Sequence, residues 1–125
     1  MARIILSILG LIVLFQGCSS KQPIISNTSA TIVFKTPYMK FYDKGFVTKY
    51  EDHIVLQVFN AGNLVLSLNI YKDQICTSTF ECLDSLEFNK QYLNENYEKE
   101  FLYNLFSKEK IYFKNKSDGI LIKVQ

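Results

Sequence analysis

The sequence predicts an α+β domain, with a mostly antiparallel sheet or a sandwich-like β arrangement and two short helices inserted before a C-terminal β-hairpin. In the first half and again at the C-terminus, apolar residues alternate with polar ones, as in strands with one buried face. Between about residues 84 and 107 the apolar spacing becomes helical. The chain has 125 residues, 48% of them apolar, which fits one globular domain rather than two.

The first strands are expected to be short and separated by turns. Residues 30–35 alternate as a strand that Pro37 ends, because proline cannot donate to a sheet ladder. A short strand over 38–42, the turn Asp43-Lys44-Gly45 and a second extended run over 46–50 should follow.

The clearest local signal is a β-hairpin. The strand over 53–59 carries Ile54, Leu56 and Val58 on one face, and Asn60-Ala61-Gly62-Asn63 provides residues that tolerate positive φ. The return strand is predicted to place four apolar side chains on one face, namely Leu64, Leu66, Leu68 and Ile70.

Two helices and a second hairpin complete the prediction. Asp84 or Ser85 can cap a helix over 86–93. Asn96 precedes a second helix, whose apolar face is Tyr97, Phe101, Leu102, Leu105 and Phe106. Both helices need a sheet to cover, and the leucine face of the preceding hairpin offers one. The last hairpin is expected over 111–124, with its turn at 115–119.

The N-terminal segment predicts export. Arg3 is followed by an apolar stretch over 4–15, the layout of a secretory signal peptide. As a helix, that stretch would be roughly 18 Å long, against the ~30 Å hydrocarbon core of a bilayer. A cleaved signal is therefore favoured over a spanning helix, and a buried helix is disfavoured because no amphipathic face is present.

The end of this segment carries the anchor. Leu14-Phe15-Gln16-Gly17-Cys18 resembles the lipobox of bacterial lipoproteins, with Phe15 standing where leucine is usual. The resemblance implies diacylglycerol on the Cys18 sulfur, cleavage after Gly17 and acylation of the new amine, which together bind a membrane stably. Ser19 favours the outer over the inner membrane, and the face of that membrane stays open. Residues 18–29 are expected to be the lipidated cysteine and a flexible tether, and 30–125 the domain.

The two remaining cysteines predict a disulfide. Cys76 and Cys82 enclose five residues, and two cysteines outside the cytoplasm most simply pair. Free buried thiols are the alternative. A metal site would need further ligands, and His53 is the only histidine. No metal and no cofactor is expected.

No catalytic constellation emerges. His53 opens a strand after two acids, where a solvated or capping role is favoured over catalysis. Carboxylates are plentiful around the helices, but nothing selects a glycosidase pair among them. The net charge of +2 is too small to argue for nucleic acid. The domain is therefore expected not to be an enzyme.

Lysines concentrate in the early strands and in the last hairpin. The first set is Lys35, Lys40, Lys44 and Lys49, and the second is Lys108, Lys110, Lys114, Lys116 and Lys123. Edge-strand lysines that prevent aggregation are the favoured interpretation. If the two sets share a sheet edge, binding to anionic lipid or lipopolysaccharide is the alternative.

The layout as a whole resembles small lipoproteins of epsilon-class proteobacteria. The features are the lipobox, the hairpin around Leu56-Gln57-Val58 and Gly62, and the Cys76/Cys82 pair followed by Phe88-Asn89. Two functions are compatible with it. The first is a non-catalytic interaction module that binds an envelope protein, the cell wall or a host surface. The second is a lipid or lipoprotein carrier, or an envelope assembly factor, similar to the LolB carriers, with an apolar cavity lined by Leu64, Leu66, Leu68, Ile70, Phe101 and Leu105.

Overall fold

The computed structural model describes residues 22–77 and 81–125, and there the predicted α+β class is confirmed. Eight strands form one antiparallel sheet, in the spatial order β6-β5-β4-β3-β2-β1-β8-β7. The strands are β1 Ser26–Lys35, β2 Lys40–Lys49, β3 Ile54–Asn60, β4 Asn63–Ile70, β5 Gln74–Cys76, β6 Cys82–Asp84, β7 Tyr112–Asn115 and β8 Ile120–Val124. The helices are α1 Ser85–Tyr92 and α2 Phe101–Ser107. Neither helix is long and apolar enough to cross a bilayer.

The chain order explains the strand order. The first six strands form a meander, since each pairs with the next one along the chain. The two helices follow, and the C-terminal hairpin then returns to the free side of β1, where Phe34 pairs with Ile122. β1 is thus an interior strand, and the edges of the sheet are β6 and β7. The predicted C-terminal hairpin is confirmed, with Gly119 at a φ of 68° in its turn.

One face of the sheet, which we call the inner face, packs against the helices. Across its centre, Val47, Leu56 and Leu68 lie opposite one another, and all three are buried. The helices contribute Phe88, Leu102, Leu105 and Phe106 to the same core. Helices of seven and eight residues are too short to be stable alone, so this burial is what holds them. The opposite face is called the outer face below.

β2 is one continuous strand of ten residues, so the predicted turn at Asp43-Lys44-Gly45 is wrong. Gly45 is buried within the ladder, opposite Val58. A Cβ atom there would clash with the Gln57 carbonyl oxygen and lie 2.7 Å from the Ile32 Cδ1 atom. The glycine is therefore a close-approach residue rather than a turn residue.

β1 begins at Ser26, four residues before the predicted start of the first strand at residue 30. Residues 27–29 are all polar, so this part of the strand lacks the alternation of apolar and polar residues that would have predicted it. Their backbone groups nevertheless pair with β2, from Ser26 opposite Lys49 onward. The strand is thus extended by its ladder hydrogen bonds rather than by burial of side chains.

The β3–β4 hairpin is confirmed, with one change in its leucine face. Ala61 and Gly62 have φ angles of 50° and 81°, as a two-residue type I′ turn requires. A register shift after Val58 then pairs Leu64 with Phe59, and Leu64 is 51% exposed. Leu64 therefore does not share the buried face of Leu66, Leu68 and Ile70.

The helical region is confirmed, with the first helix shifted by one residue and the second one shorter than predicted. Asp84 caps α1, and its Oδ1 accepts a hydrogen bond from the Leu86 backbone N–H at 2.9 Å. α2 begins at Phe101, so Tyr97 lies in the loop before it. The three-residue strands β5 and β6 were not predicted, since they are too short for any periodicity to show.

Candidate functional site

The predicted lipidation and cleavage positions, Cys18 and Gly17, lie outside the described residues and stay predictions. The described chain starts close behind them. Ile24 and Ile25 precede β1 and are 55% and 66% exposed. The Ile25 backbone N–H already donates to the Lys49 carbonyl at 2.8 Å. The chain thus joins the sheet within a few residues of the predicted anchor.

Cys76 and Cys82 form the predicted disulfide, with an S–S distance of 2.02 Å. The two residues lie directly opposite each other in the β5–β6 hairpin. The Thr77 backbone N–H donates to the Glu81 carbonyl at 2.9 Å and closes the same loop. The bridge therefore ties an edge strand, β6, to its only neighbour in the sheet.

The outer face carries two rows of opposed residues across β2, β1, β8 and β7, and a third row across β2 and β1. In the first row Lys40 lies opposite Lys35, Lys35 opposite Leu121, and Leu121 opposite Lys114. Because successive side chains alternate between faces and Phe34 is buried on the inner face, all of this row points outward. The three lysines of the row are exposed.

The second and third rows continue the pattern. Tyr42 lies opposite Val33, Val33 opposite Lys123, and Lys123 opposite Tyr112. Tyr42 and Tyr112 are 68% and 53% exposed, whereas Val33 between them is buried. In the third row Lys44 lies opposite Thr31. We define the basic outer face as Lys35, Lys40, Lys44, Lys114 and Lys123, with Tyr42 and Tyr112.

No acidic side chain neutralises this face. Asp43 is the one acidic residue in the four strands; it lies opposite the inner-face residue Ile32 and accepts a hydrogen bond from Asn60 Nδ2 at 2.9 Å. Within residues 22–77 and 81–125, none of the five lysines takes part in an ion pair. Like charges directly opposite each other in a sheet are destabilising, as for Lys35 and Lys40. The arrangement therefore leaves a concentrated positive potential that an anion would relieve.

The sequence favoured lysines that protect edge strands from aggregation, and this interpretation accounts for one lysine of the basic outer face. Lys114 lies in the edge strand β7, but Lys35, Lys40, Lys44 and Lys123 lie in the interior strands β1, β2 and β8. An open depression of about 320 Å³ adjoins the face and is lined by Lys35, Lys114, Lys116 and Leu121, among others.

Lys49, which the sequence grouped with the early lysines, has a different role. Its position opposite Ile54 places it on the inner face. Its Nζ atom donates to the Ser107 and Lys108 carbonyls at 3.2 and 3.0 Å. A cation there satisfies backbone acceptors at the C-terminus of α2 and interacts favourably with the helix dipole.

His53 lies in an aromatic stack at the β2–β3 turn. Its ring packs between Tyr50 and Tyr71, at centroid distances of 4.6 and 4.7 Å. Its Nδ1 atom lies 2.6 Å from Asp52 Oδ1, and this hydrogen bond lowers the pKa of the Asp52 carboxyl. In the described part of the chain, Asp52 is the one hydrogen-bond partner of the imidazole. The two tyrosine rings and this carboxylate together hold the His53 ring in place at the turn.

Five of the six residues proposed to line an apolar cavity lie in the packed core or against it, and Leu64 does not. Leu66, Leu68, Ile70 and Leu105 belong to the buried core, and Leu64 is exposed. Phe101 packs edge-to-face on Phe113 with ring centroids 4.8 Å apart. Phe101 and Leu105 also line an open depression of about 240 Å³, together with Glu98, Asn104, Lys108, Tyr112 and Phe113. The carrier function stays a prediction.

The described residues hold no group of three histidine, cysteine, aspartate or glutamate side chains placed to bind a metal ion. No protein-family model, curated protein or solved structure matches the chain.

Proposed function

We propose that this chain is a lipid-anchored protein of the bacterial cell envelope whose exported domain is a non-catalytic interaction module. The basic outer face is the observation that carries the module. It places five lysines, which form no ion pair within the described residues, and two exposed tyrosines on one sheet face. Its partner is an anionic component of the envelope. The anchor is the lipid on Cys18, in the outer membrane rather than the inner one.

The disulfide supports the envelope assignment. Such bonds persist in oxidising compartments and are rare in the cytosol of mesophiles. Cys76 and Cys82 pair within a short hairpin, and their sulfur atoms bond to each other rather than serving as ligands of a metal ion. An exported, oxidised domain agrees with a signal peptide that is cleaved before Cys18.

The rigidity of the face supports binding rather than catalysis. Its side chains project from four hydrogen-bonded strands, so their spacing is fixed before a partner arrives. Tyrosine is enriched at interfaces because its ring is apolar and its hydroxyl polar. Lysine contributes long-range attraction and faster encounter with anions.

Metabolic labelling with an alkyne-bearing palmitate tests the anchor. We expect the wild-type protein to incorporate the label and the Cys18→Ala variant to incorporate none. The Cys76→Ala/Cys82→Ala variant is the matched control and should be labelled like the wild type, since its thiols are not the attachment point. Equal labelling of wild type and Cys18→Ala would overturn the anchor.

Site-specific photo-crosslinking in intact cells tests the interaction surface. A photoreactive residue replaces Tyr42 on the basic outer face or, as a control, Leu86 on α1, which is 51% exposed on the helical side. We expect a defined adduct from position 42 and none from position 86. An adduct from neither position, or the same adduct from both, would count against the proposed surface.

A further inference from the structure

We infer that the basic outer face binds the anionic headgroups of the bilayer that carries the anchor, so that the sheet lies flat on an anionic membrane. This inference rests on the proposed lipid anchor and names the partner of the basic outer face. Three features support it: the distribution of charge, the position of the tyrosines and the length of the tether.

The charge distribution fits an extended anionic surface rather than a single small anion. Lys40, Lys35 and Lys114 span three strand spacings, roughly 14 Å at 4.7–4.9 Å per spacing. Lys123 and Lys44 extend the positive area along the strands into the next two rows. The depression beside Lys35 and Lys114 is open to solvent, and all five lysines remain exposed or half-exposed. A layer of anionic headgroups can contact all of these lysines at once, whereas a single phosphate can contact only one or two of them.

The two tyrosines fit the interfacial region of a bilayer. Tyr42 and Tyr112 lie at the two ends of the second row, on either side of Val33 and Lys123. Tyrosine concentrates where membrane meets water, because its ring enters the headgroup layer while its hydroxyl stays hydrated. In the flat orientation both rings would reach that layer together.

The tether is long enough to allow this orientation. Seven residues separate Cys18 from the first residue of β1 at Ser26. Fully extended, they span at most about 25 Å, so the start of the sheet is held near the bilayer. The exposed Ile24 and Ile25 lie in this segment, next to the membrane. Tethering raises the effective concentration of headgroups at the basic outer face without any new contact.

The test uses the mature, lipidated protein reconstituted in vesicles. Its lysines are acetylated with an amine-reactive reagent, and the extent at each site is read by mass spectrometry. Vesicles of phosphatidylcholine alone are compared with vesicles containing phosphatidylglycerol. We expect acetylation of Lys35, Lys40 and Lys123 to be about five-fold slower on the anionic vesicles, and the protection to be lost at high salt. Lys90, exposed on α1, is the internal control and should react equally on both.

Three outcomes separate the possibilities. Equal acetylation of Lys35, Lys40 and Lys123 on both kinds of vesicle, in protein whose mass shows the lipid, would overturn this inference and leave the anchor intact. Protection in native envelopes but not on protein-free anionic vesicles would overturn it too, and would assign the face to an acidic protein instead. Protein from the native membrane without lipid on Cys18 would overturn the proposed function, and the inference with it.

A variant pair checks that the charge itself is responsible. Lys35→Glu/Lys40→Glu should lose the protection of Lys123 on anionic vesicles, whereas Lys90→Glu/Lys99→Glu should retain it. All four positions are exposed, so both variants are expected to fold. Retained protection of Lys123 in the first variant would contradict electrostatic binding through this face.

Discussion

The Asp118 carboxylate links the loop between the helices to the last hairpin. It accepts hydrogen bonds from Tyr97 Oη at 2.7 Å, Asn115 Nδ2 at 2.9 Å and Asn94 Nδ2 at 3.1 Å. Desolvation, and then the bond to Asp118, raises the pKa of the Tyr97 phenol to about 12. Asn94, which the sequence left unassigned, and Asp118, which it placed in the last turn, therefore join the helical layer to the C-terminal strands.

Replacement of Tyr97 by phenylalanine should produce a pH-dependent loss of stability. Below pH 10 the phenol is protonated in both states, so the folded wild type keeps its hydrogen bond and should exceed Tyr97→Phe by about 1 kcal/mol. Between pH 10 and about 12 the unfolded wild type loses this proton while the folded one retains it, which lowers wild-type stability. Urea unfolding across this range should show the difference shrinking. A difference that stayed constant or grew would contradict the assignment.

Ala61 is strained in the type I′ turn. Its φ of 50° is left-handed, a conformation that alanine adopts at a cost and that asparagine tolerates. Ala61→Asn creates the Asn-Gly pair that this turn prefers, and we expect it to raise the free energy of unfolding by about 0.5–1 kcal/mol. Gly62→Ala is the matched control. It should lower stability through backbone strain at a φ of 81°, since a Cβ there would meet no neighbour. Denaturant titration of both variants provides the comparison, and an Ala61→Asn protein no more stable than the wild type would contradict the strain.

At the scale of elements, the sequence predicted those turns and caps whose conformation depends on neighbouring residues alone. The turn at Asn60-Ala61-Gly62-Asn63, the Asp84 cap and the last hairpin were all readable from neighbouring residues. The continuity of β2 was not readable, because Gly45 is required by β3, whose backbone passes directly beside it. The exposure of Leu64 was missed for a similar reason, since a bulge depends on the register of two strands.

Gly45→Ala tests the close approach of β2 and β3. The new methyl group would meet the Gln57 carbonyl and the Ile32 side chain, so the two strands must separate. We expect a loss of about 2–3 kcal/mol of unfolding free energy, as is typical of overpacking. Gly119→Ala has a nearest contact of 3.7 Å, to Pro37 Cγ, and its cost should come from backbone strain alone. Wild-type stability of the Gly45→Ala variant in thermal unfolding would show that the strands are not held this closely.

At the scale of the molecule, the candidate site arises from the strand order. The lysines that form it come from two distant parts of the sequence, and β8 brings them together by pairing with β1. Both sets of lysines were visible in the sequence, and a shared surface was one interpretation of them. The strand register could not be predicted from it. That register aligns Lys35 with Lys40 and, across Leu121, with Lys114. Long-range pairing of this kind has no signature in local periodicity.

The clustered lysines should strengthen membrane binding while they lower the free energy of unfolding. Lys35→Glu removes repulsion from Lys40 and introduces attraction, so we expect the free energy of unfolding to rise by about 0.2–1 kcal/mol at low salt. The same change should weaken attachment of the face to anionic vesicles. Lys90→Glu should change neither property, since Lys90 lies on α1. A Lys35→Glu protein that is less stable than the wild type at low salt would show that the lysines do not repel one another.

In the proposed anchor, the mature protein begins at a lipidated Cys18 and is held to a membrane by that lipid. The most direct measurement is the intact mass of the protein extracted from native membranes, followed by fragmentation of its N-terminal peptide. We expect a chain from Cys18 to Gln125 that carries acyl groups on the first residue and is two hydrogens lighter for the Cys76–Cys82 bond. A chain that still carries the residues before Cys18, or one that begins at Cys18 with an unmodified sulfur, would contradict it.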